Sequence, residues 1–332
     1  MRRVLTIVLV VVLPCAATAA TLRVPSQYAE IQAAIDASSN GDTILVGPGT
    51  YQCTIGNDII GKAIHVVSEG GPEVTTIANR PEYPGWESGS YAFYIESAPG
   101  ACTISGFTMW GHSVGDMTSN HTIQIRNSDV KVVGNRFTEN VNLDVVGIEG
   151  NSSSVIEYNI FYGNRGTSVH VYEGASPTIR WNTCVGNTIT FYGDIEVEGN
   201  NSHPVIRNNI IVNAVCIQPP PHCYYTYGVH AYSPPENIIF ECNDVWNNPS
   251  GNYSGTLSDQ TGINGNISVD PLFCGVAGSA NFYLQSSSPC ASQNVPGGCS
   301  GQGMGCYPAT CTVAVKQQSW GSIKSLFENQ KK

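Results

Sequence analysis

Glu196 and Glu198 stand two residues apart in Ile195-Glu-Val-Glu198. His170 with Tyr172 and His230 with Tyr232 occupy matching places in Val169-His-Val-Tyr172 and Val229-His-Ala-Tyr232. Carboxylates and imidazoles can move protons to and from sugar oxygens, and tyrosine rings can lie under pyranose faces. Two carboxylates on one strand face, two residues apart at ~3.3 Å rise, stand about 6–7 Å from each other. A separation of that order serves glycoside hydrolysis. On this reading Glu196 or His170 transfers the proton, Glu198 is its partner, and Arg126 steadies negative charge. Tyr172, Tyr232, His230 and Glu149 contact the substrate. A metal bridging His170, Glu196 and His230 is sterically conceivable, but a straight row is poor geometry for tetrahedral zinc. No metal is assigned.

These residues meet only if the strands carrying them stack in register. Five apolar-x-apolar triplets recur: Ile123-Gln-Ile125, Val146-Gly-Ile148, Val169-His-Val171, Ile195-Glu-Val197 and Val229-His-Ala231. Their apolar members point into a core, so the intervening and following residues point outward. Stacking gives two outward rows. One runs Gln124, Gly147, His170, Glu196, His230, and the other Arg126, Glu149, Tyr172, Glu198, Tyr232. An earlier triplet, Phe93-Tyr-Ile95, adds Tyr94 and Glu96.

The stacking itself is written in a second repeat. Asn135, Asn159, Asn182, Asn209 and Asn243 each have an apolar residue three positions before and one two positions after, at steps of 24, 23, 27 and 34 residues. Short alternations at such a period predict a β-solenoid, whose turns bury their apolar residues only against neighbours. Asn tolerates αL, which places it at a bend, and its amide can bond the next coil. An internal Asn ladder follows.

Both ends differ from this middle. Arg2 and Arg3, an apolar run from Thr6 to Leu13 and small residues to Ala20 make residues 1–20 a secretory signal peptide. No second apolar run of spanning length follows. Ser26 is the expected cap of a short helix burying Ile31, Ala34 and Ile35, which closes the open end of the solenoid. The solenoid domain is expected over 21–311, its end at about 270–311 stapled by cysteines. Residues 312–332 form a tail with a possible short amphipathic helix carrying Trp320, Ile323 and Phe327.

The 13 basic and 25 acidic residues left after Arg2 and Arg3 give a net charge of −12, which disfavours nucleic acid as a partner. Eleven cysteines then remain, read as disulfides in an exported protein. Cys216 and Cys223 close a Pro-rich loop. Cys274, Cys290, Cys299, Cys306 and Cys311 staple the far end. Cys184, at an apolar ladder position, is the one buried free thiol, which accounts for the odd count.

The run from Val24 to Ile35, with Gly41-Asp-Thr43 and Pro48-Gly-Thr-Tyr51, resembles the N-terminal signature of right-handed parallel β-helix proteins, the pectin lyase-like superfamily. Ile60-Gly-Lys-Ala-Ile64 with Ser68-Glu-Gly-Gly-Pro72, and Ile104-Ser-Gly-Phe-Thr-Met109, resemble its next coils. Asp270-Pro-Leu-Phe273, Phe282-Tyr-Leu-Gln285 and Ser288-Pro-Cys290 resemble the closing segment of secreted bacterial members. The resemblance covers roughly 22–307 and implies fold more than activity, since such folds host many chemistries. It implies an active cleft on an outward face near the middle coils. Calcium, implied for some pectate lyases, lacks its Asp cluster, since Asp116, Asp129, Asp144 and Asp194 share no row. The paired-Asp and Gly-His-Gly pattern of polygalacturonases is absent, and so is the Asp and Arg set of pectin methylesterases.

The expected protein is an all-β, right-handed parallel β-helix with an N-terminal capping helix. It is a secreted or cell-surface monomer that binds, and as a lyase or hydrolase processes, polysaccharide or a cell-surface glycan. The competing reading is a non-catalytic structural or adhesive solenoid.

Overall fold

The computed structural model describes residues 18–53, 56–79, 91–112, 121–189, 192–216, 226–275, 280–299, 301 and 303–311. The expected signal peptide over 1–20 lies almost wholly outside these residues, and the expected tail over 312–332 wholly so. The chain winds as a parallel β-solenoid in which each full coil lays one strand on each of three sheets. One coil runs through Val130–Val133, Arg136–Thr138 and Val141–Glu149. The next runs through Val155–Glu157, Ile160–Tyr162 and Arg165–Tyr172. Then come Thr178–Arg180, Thr183–Val185 and Gly193–Val197, and after them Val205–Arg207, Ile210–Val212 and Tyr227–Ala231. The third strands of these coils build the sheet that carries the candidate site.

Apolar residues in register fill the interior. Phe137 and Phe161 stack with ring centroids 4.8 Å apart, and Cys184 and Ile211 follow in the same column. Cys184 is buried and free, as expected.

The Asn ladder runs at the corner between the first and second sheets. Nδ2 of Asn159 donates to Oδ1 of Asn182 at 3.0 Å, and Nδ2 of Asn182 to Oδ1 of Asn209 at 3.0 Å. The chain of amides extends from Asn135 to Asn266, one rung past the expected set. The bend, however, is not made by the ladder residue. The left-handed conformation belongs to the residue before it: Gly134, Tyr158, Trp181, Asn208 and Cys242, with φ from 52° to 65°. The ladder Asn is thereby freed to aim its amide inward. A second ladder, Asn140, Asn164 and Asn187, runs five residues later at the next corner, with Nδ2 to Oδ1 distances of 2.9 and 3.1 Å.

The capping helix spans Ile31–Ala37 and buries Ile31, Ala34 and Ile35. It begins five residues after the expected cap. Ser26 falls in a turn where the amides of Gln27 and Tyr28 donate to the Arg23 carbonyl, and Glu30 precedes the helix without a side-chain cap. At the other end Cys242 is bonded to Cys299 and Cys274 to Cys311. The expected staple is therefore partial: Cys290 and Cys306 are free, as are Cys53 and Cys102, so Cys184 is not the sole free thiol. Cys216 is disulfide-bonded, while Cys223, its expected partner, lies outside the described residues. Among the described residues no helix is long and apolar enough to cross a membrane.

Candidate functional site

Register places both expected rows on the outer face of the third sheet. Gln124 pairs with Gly147, Gly147 with His170, His170 with Glu196, and Glu196 with His230. Tyr94 and Glu96 precede Gln124 and Arg126, Asp58 and Ile60 pair with Tyr94 and Glu96 one coil earlier, and Ser254 extends the first row. Arg126, Glu149 and Tyr172 align in the second row. Glu198 and Tyr232 continue it just past their strands, their amides donating to the carbonyls of Val171 and Val197. The segment after residue 247 supplies the strand Gly251–Gly255 to this same sheet.

The outward residues are not freely solvated. Glu196 is only 4% exposed and His230 6%. His170 is fixed by a residue the alternation pattern missed. Its Nδ1–H donates to Oδ2 of Asp144 at 3.0 Å, and Nε2 of His121 lies 3.1 Å from the same oxygen. His121 and Asp144 are register partners two residues before the triplets, on a third outward row. That row was hidden because the ladder shifts between Val141 and Asp144 and Val145 turns into the core. Gly147 makes room for this arrangement: a Cβ there would stand 2.1 Å from Cδ2 of His121. The Tyr172 ring lies against both imidazoles, with centroids 6.1 Å from His121 and 4.8 Å from His170.

Burial and charge set the protonation of this group. Burial opposes ionisation of Asp144, but the two imidazoles prevail and hold its carboxyl down to about 2. Burial opposes the cation on His170, yet Asp144, then Glu196 and Glu198, raise it to about 9. Glu196 is pushed up to about 8, chiefly by burial, against the pull of His170 and with help from Asp144 and Glu198. At neutral pH the group therefore holds an imidazolium, an aspartate and a neutral glutamic acid side by side.

One donor atom each of His170, Glu196 and Glu198 lies within 4.8 Å of the others. Glu196 and Glu198 thus approach more closely than their expected 6–7 Å, because their side chains lean together. The set differs from the metal bridge considered above, since Glu198 replaces His230. One imidazole and two carboxylates suit a borderline divalent cation better than calcium, which prefers an all-oxygen cage. Such a cation would have to displace the protons of His170 and Glu196.

The remaining expected residues fall into two subsets. Glu149 is buried, paired with Nε of Arg126 and accepting from Nε2 of Gln124 at 3.1 Å. Its Oε1, and the charge of Arg126, are thus already engaged. His230 sits on the other side of Glu196 in an aromatic cluster. Tyr192, which the triplets did not reveal, stacks on it at 4.7 Å, and Tyr232 meets it edge-on at 4.4 Å. Nδ1 of His230 is 2.6 Å from Oγ of Ser254, and burial lowers the pKa of the ring. Nε2 of His170 and Nε2 of His230 are buried without a hydrogen-bond partner. Glu198, with 42% of its side chain exposed, lies 3.8 Å from the first of these.

No curated protein matches this chain in sequence. Among solved structures it is similar to pectate lyase Pel9A, at 13% identity over 89% of this chain and 97% of that one, with a TM-score of 0.40. It is also similar to the catalytic domain of a GH87 α-1,3-glucanase in complex with nigerose, at 12% identity and a TM-score of 0.36. That match covers 71% of this chain and spans 59% of the length of the glucanase domain. These likenesses carry no site residue across. The family described as the right-handed β-helix region matches residues 91–268, which hold all the coils of the site. The chain belongs to the right-handed β-helix family.

Proposed function

We propose that the outer face of the third sheet binds a glycan and cleaves it by proton transfer, in a secreted protein. The observation that carries this reading is the placement of Glu196. It is buried in the row between His170 and His230, neutral through physiological pH, with Glu198 beside it. Glu196 donates its proton to the glycosidic oxygen as the C–O bond breaks. Glu198, on the same face, bonds to the sugar carbon as the leaving group departs, and water then hydrolyses that ester with Glu196, now a carboxylate, taking the water's proton. The closeness of Glu198 to Glu196 lies nearer the roughly 5 Å spacing of retaining hydrolases than the ~6.5–9.5 Å that admits a water in inverting ones. Asp144 keeps His170 oriented and charged, as a buried carboxylate does for a working imidazole. Tyr172 and Tyr232 offer ring faces on either side of the acid. The disulfides Cys242–Cys299 and Cys274–Cys311 support an oxidising compartment.

The test is a polysaccharide panel read by new reducing ends, with absorbance near 235 nm as the separate readout for elimination. Reducing ends that vanish with Glu196→Gln while binding persists support the proposal. Binding without turnover by the wild type would leave a glycan-binding solenoid in its place. No binding to any glycan would end both readings.

A further inference from the structure

The site also carries a charge imbalance that selects among glycans. On the two outward rows and Asp144 the carboxylates are Asp58, Glu96, Asp144, Glu149 and Glu198, and the cations are Arg126 and His170. Five acids face two cations even with Glu196 neutral, and they remain in excess if His121 is charged as well. The cations are already engaged: Arg126 by Glu149, and His170 by Asp144. Glu198 is the exposed carboxylate at the mouth of the group, and Tyr232, 44% exposed, stands at its end of the site. A uronate chain brought here would add like charge to this surplus. An ammonium group would find a carboxylate beside an aromatic ring, the pairing that recognises organic cations. Nε2 of His170 supplies an independent sign of a ligand. It is buried, lacks a hydrogen-bond partner, and faces the mouth where Glu198 stands. A sugar hydroxyl placed there would satisfy it.

We infer that the glycan this face takes is an amino sugar polymer with free amines, its ammonium group against Glu198 and the Tyr232 ring and a hydroxyl on His170. This rests on the glycan-site reading above and names its substrate class.

The experiment is calorimetric binding of four oligosaccharides of equal length: free-amine glucosamine, N-acetylglucosamine, galacturonate and neutral glucose oligomers. The glucosamine oligomer should bind at least tenfold more tightly than the others at a pH where its amines are charged. Glu198→Gln should remove that advantage, while Glu30→Gln, at the far capping end, should leave it intact. Raising NaCl from about 0.05 to about 0.5 M should weaken the preference, since the Debye length shortens. Equal or tighter binding of the acetylated, neutral or uronate oligomer overturns the inference and leaves the glycan site standing. Equal responses of the Glu198 and Glu30 variants also overturn it, as would poly-lysine competing as well as the sugar. Binding of none of the four overturns the site reading itself.

Discussion

Asp144 and His170, from adjacent coils and 26 residues apart in sequence, share a 3.0 Å hydrogen bond on the outer sheet face. The bond fixes which nitrogen of His170 faces the mouth of the site and holds positive charge next to a buried neutral acid.

Its first consequence is for stability against pH. The folded pKa of His170 is raised to about 9, so its contribution is complete below the ordinary value near 6.5 and is lost as pH rises toward 9. Glu196, kept neutral up to about 8 in the fold but ionised above about 4.5 when unfolded, adds a loss in the same direction that is complete near pH 8. Asp144 works at the other end, losing its contribution as pH falls through the range from about 4 to about 2. Unfolding free energy should fall by about 3–5 kcal/mol between about pH 6.5 and 9. In Asp144→Asn that slope should flatten markedly, as denaturant titration across pH would read.

The second concerns turnover. On the proposed mechanism Glu196 acts in its protonated form, so kcat should be level through neutral pH and decline as pH rises through about 8. Glu196→Gln should lower kcat by at least 10²-fold with little change in substrate affinity. A rate still rising above pH 9 would assign the proton to another group.

Gly147→Ala tests the room made for His121. The added methyl meets the His121 ring, so that ring must leave Asp144. Asp144 then loses a competing partner and pairs with His170 alone, so the pKa of His170, followed by its imidazole NMR signals, should rise. The melting temperature should change far less than for a core substitution. An unchanged His170 titration would show that His121 has no part in setting it.

Asn182→Leu tests the ladder. Asn182 donates to the carbonyls of Ile156 and Arg180 and to Asn209, and its oxygen accepts from the backbone and side chain of Asn159. Leucine leaves buried groups on both neighbouring coils unpaired, at a cost of about 2–5 kcal/mol. Urea denaturation measures it.

Thiol labelling tests the redox assignment. Cys184 and Cys290 are enclosed, with their pKa values raised by burial, and Cys306 is pushed up to about 12. Native protein should label slowly at all three, and denatured protein rapidly, by intact mass. Rapid native modification of Cys184 would place its side chain outside the core.

Much of the scaffold was legible because its constraints repeat. Apolar triplets fixed which side chains leave the core, and the spacing of Asn135 through Asn243 fixed the stacking, so both rows came out in register. The site's most telling residues were not legible in the same way. His121 and Asp144 lie where the alternation breaks at a register shift. Strict period-two reading, carried back from Ile123 and Val146, assigns them to the core, and only the folded sheet shows Asp144 between two imidazoles. The second ladder was within reach, since Asn140, Asn164 and Asn187 each follow a ladder Asn by five residues. Side-chain lean is invisible to strand spacing, which is why Glu196 and Glu198 approach more closely than the rise per residue implied. The αL corners were misplaced by one residue because Tyr158 and Trp181 are poor candidates for that conformation on propensity alone. In the fold the two rings stack at 5.1 Å.

Each member of the first row comes from a different coil, so the site is laid out like graduations on a measuring stick. Successive marks are one strand spacing apart, about 4.8 Å, and their order along the axis is the order of the chain. Removing a whole coil would subtract one mark and close the gap without disturbing those on either side, since coils touch only their neighbours. A linear polymer lying along the axis would therefore be read in fixed steps. The length of chain recognised would be set by how many coils present a side chain to it.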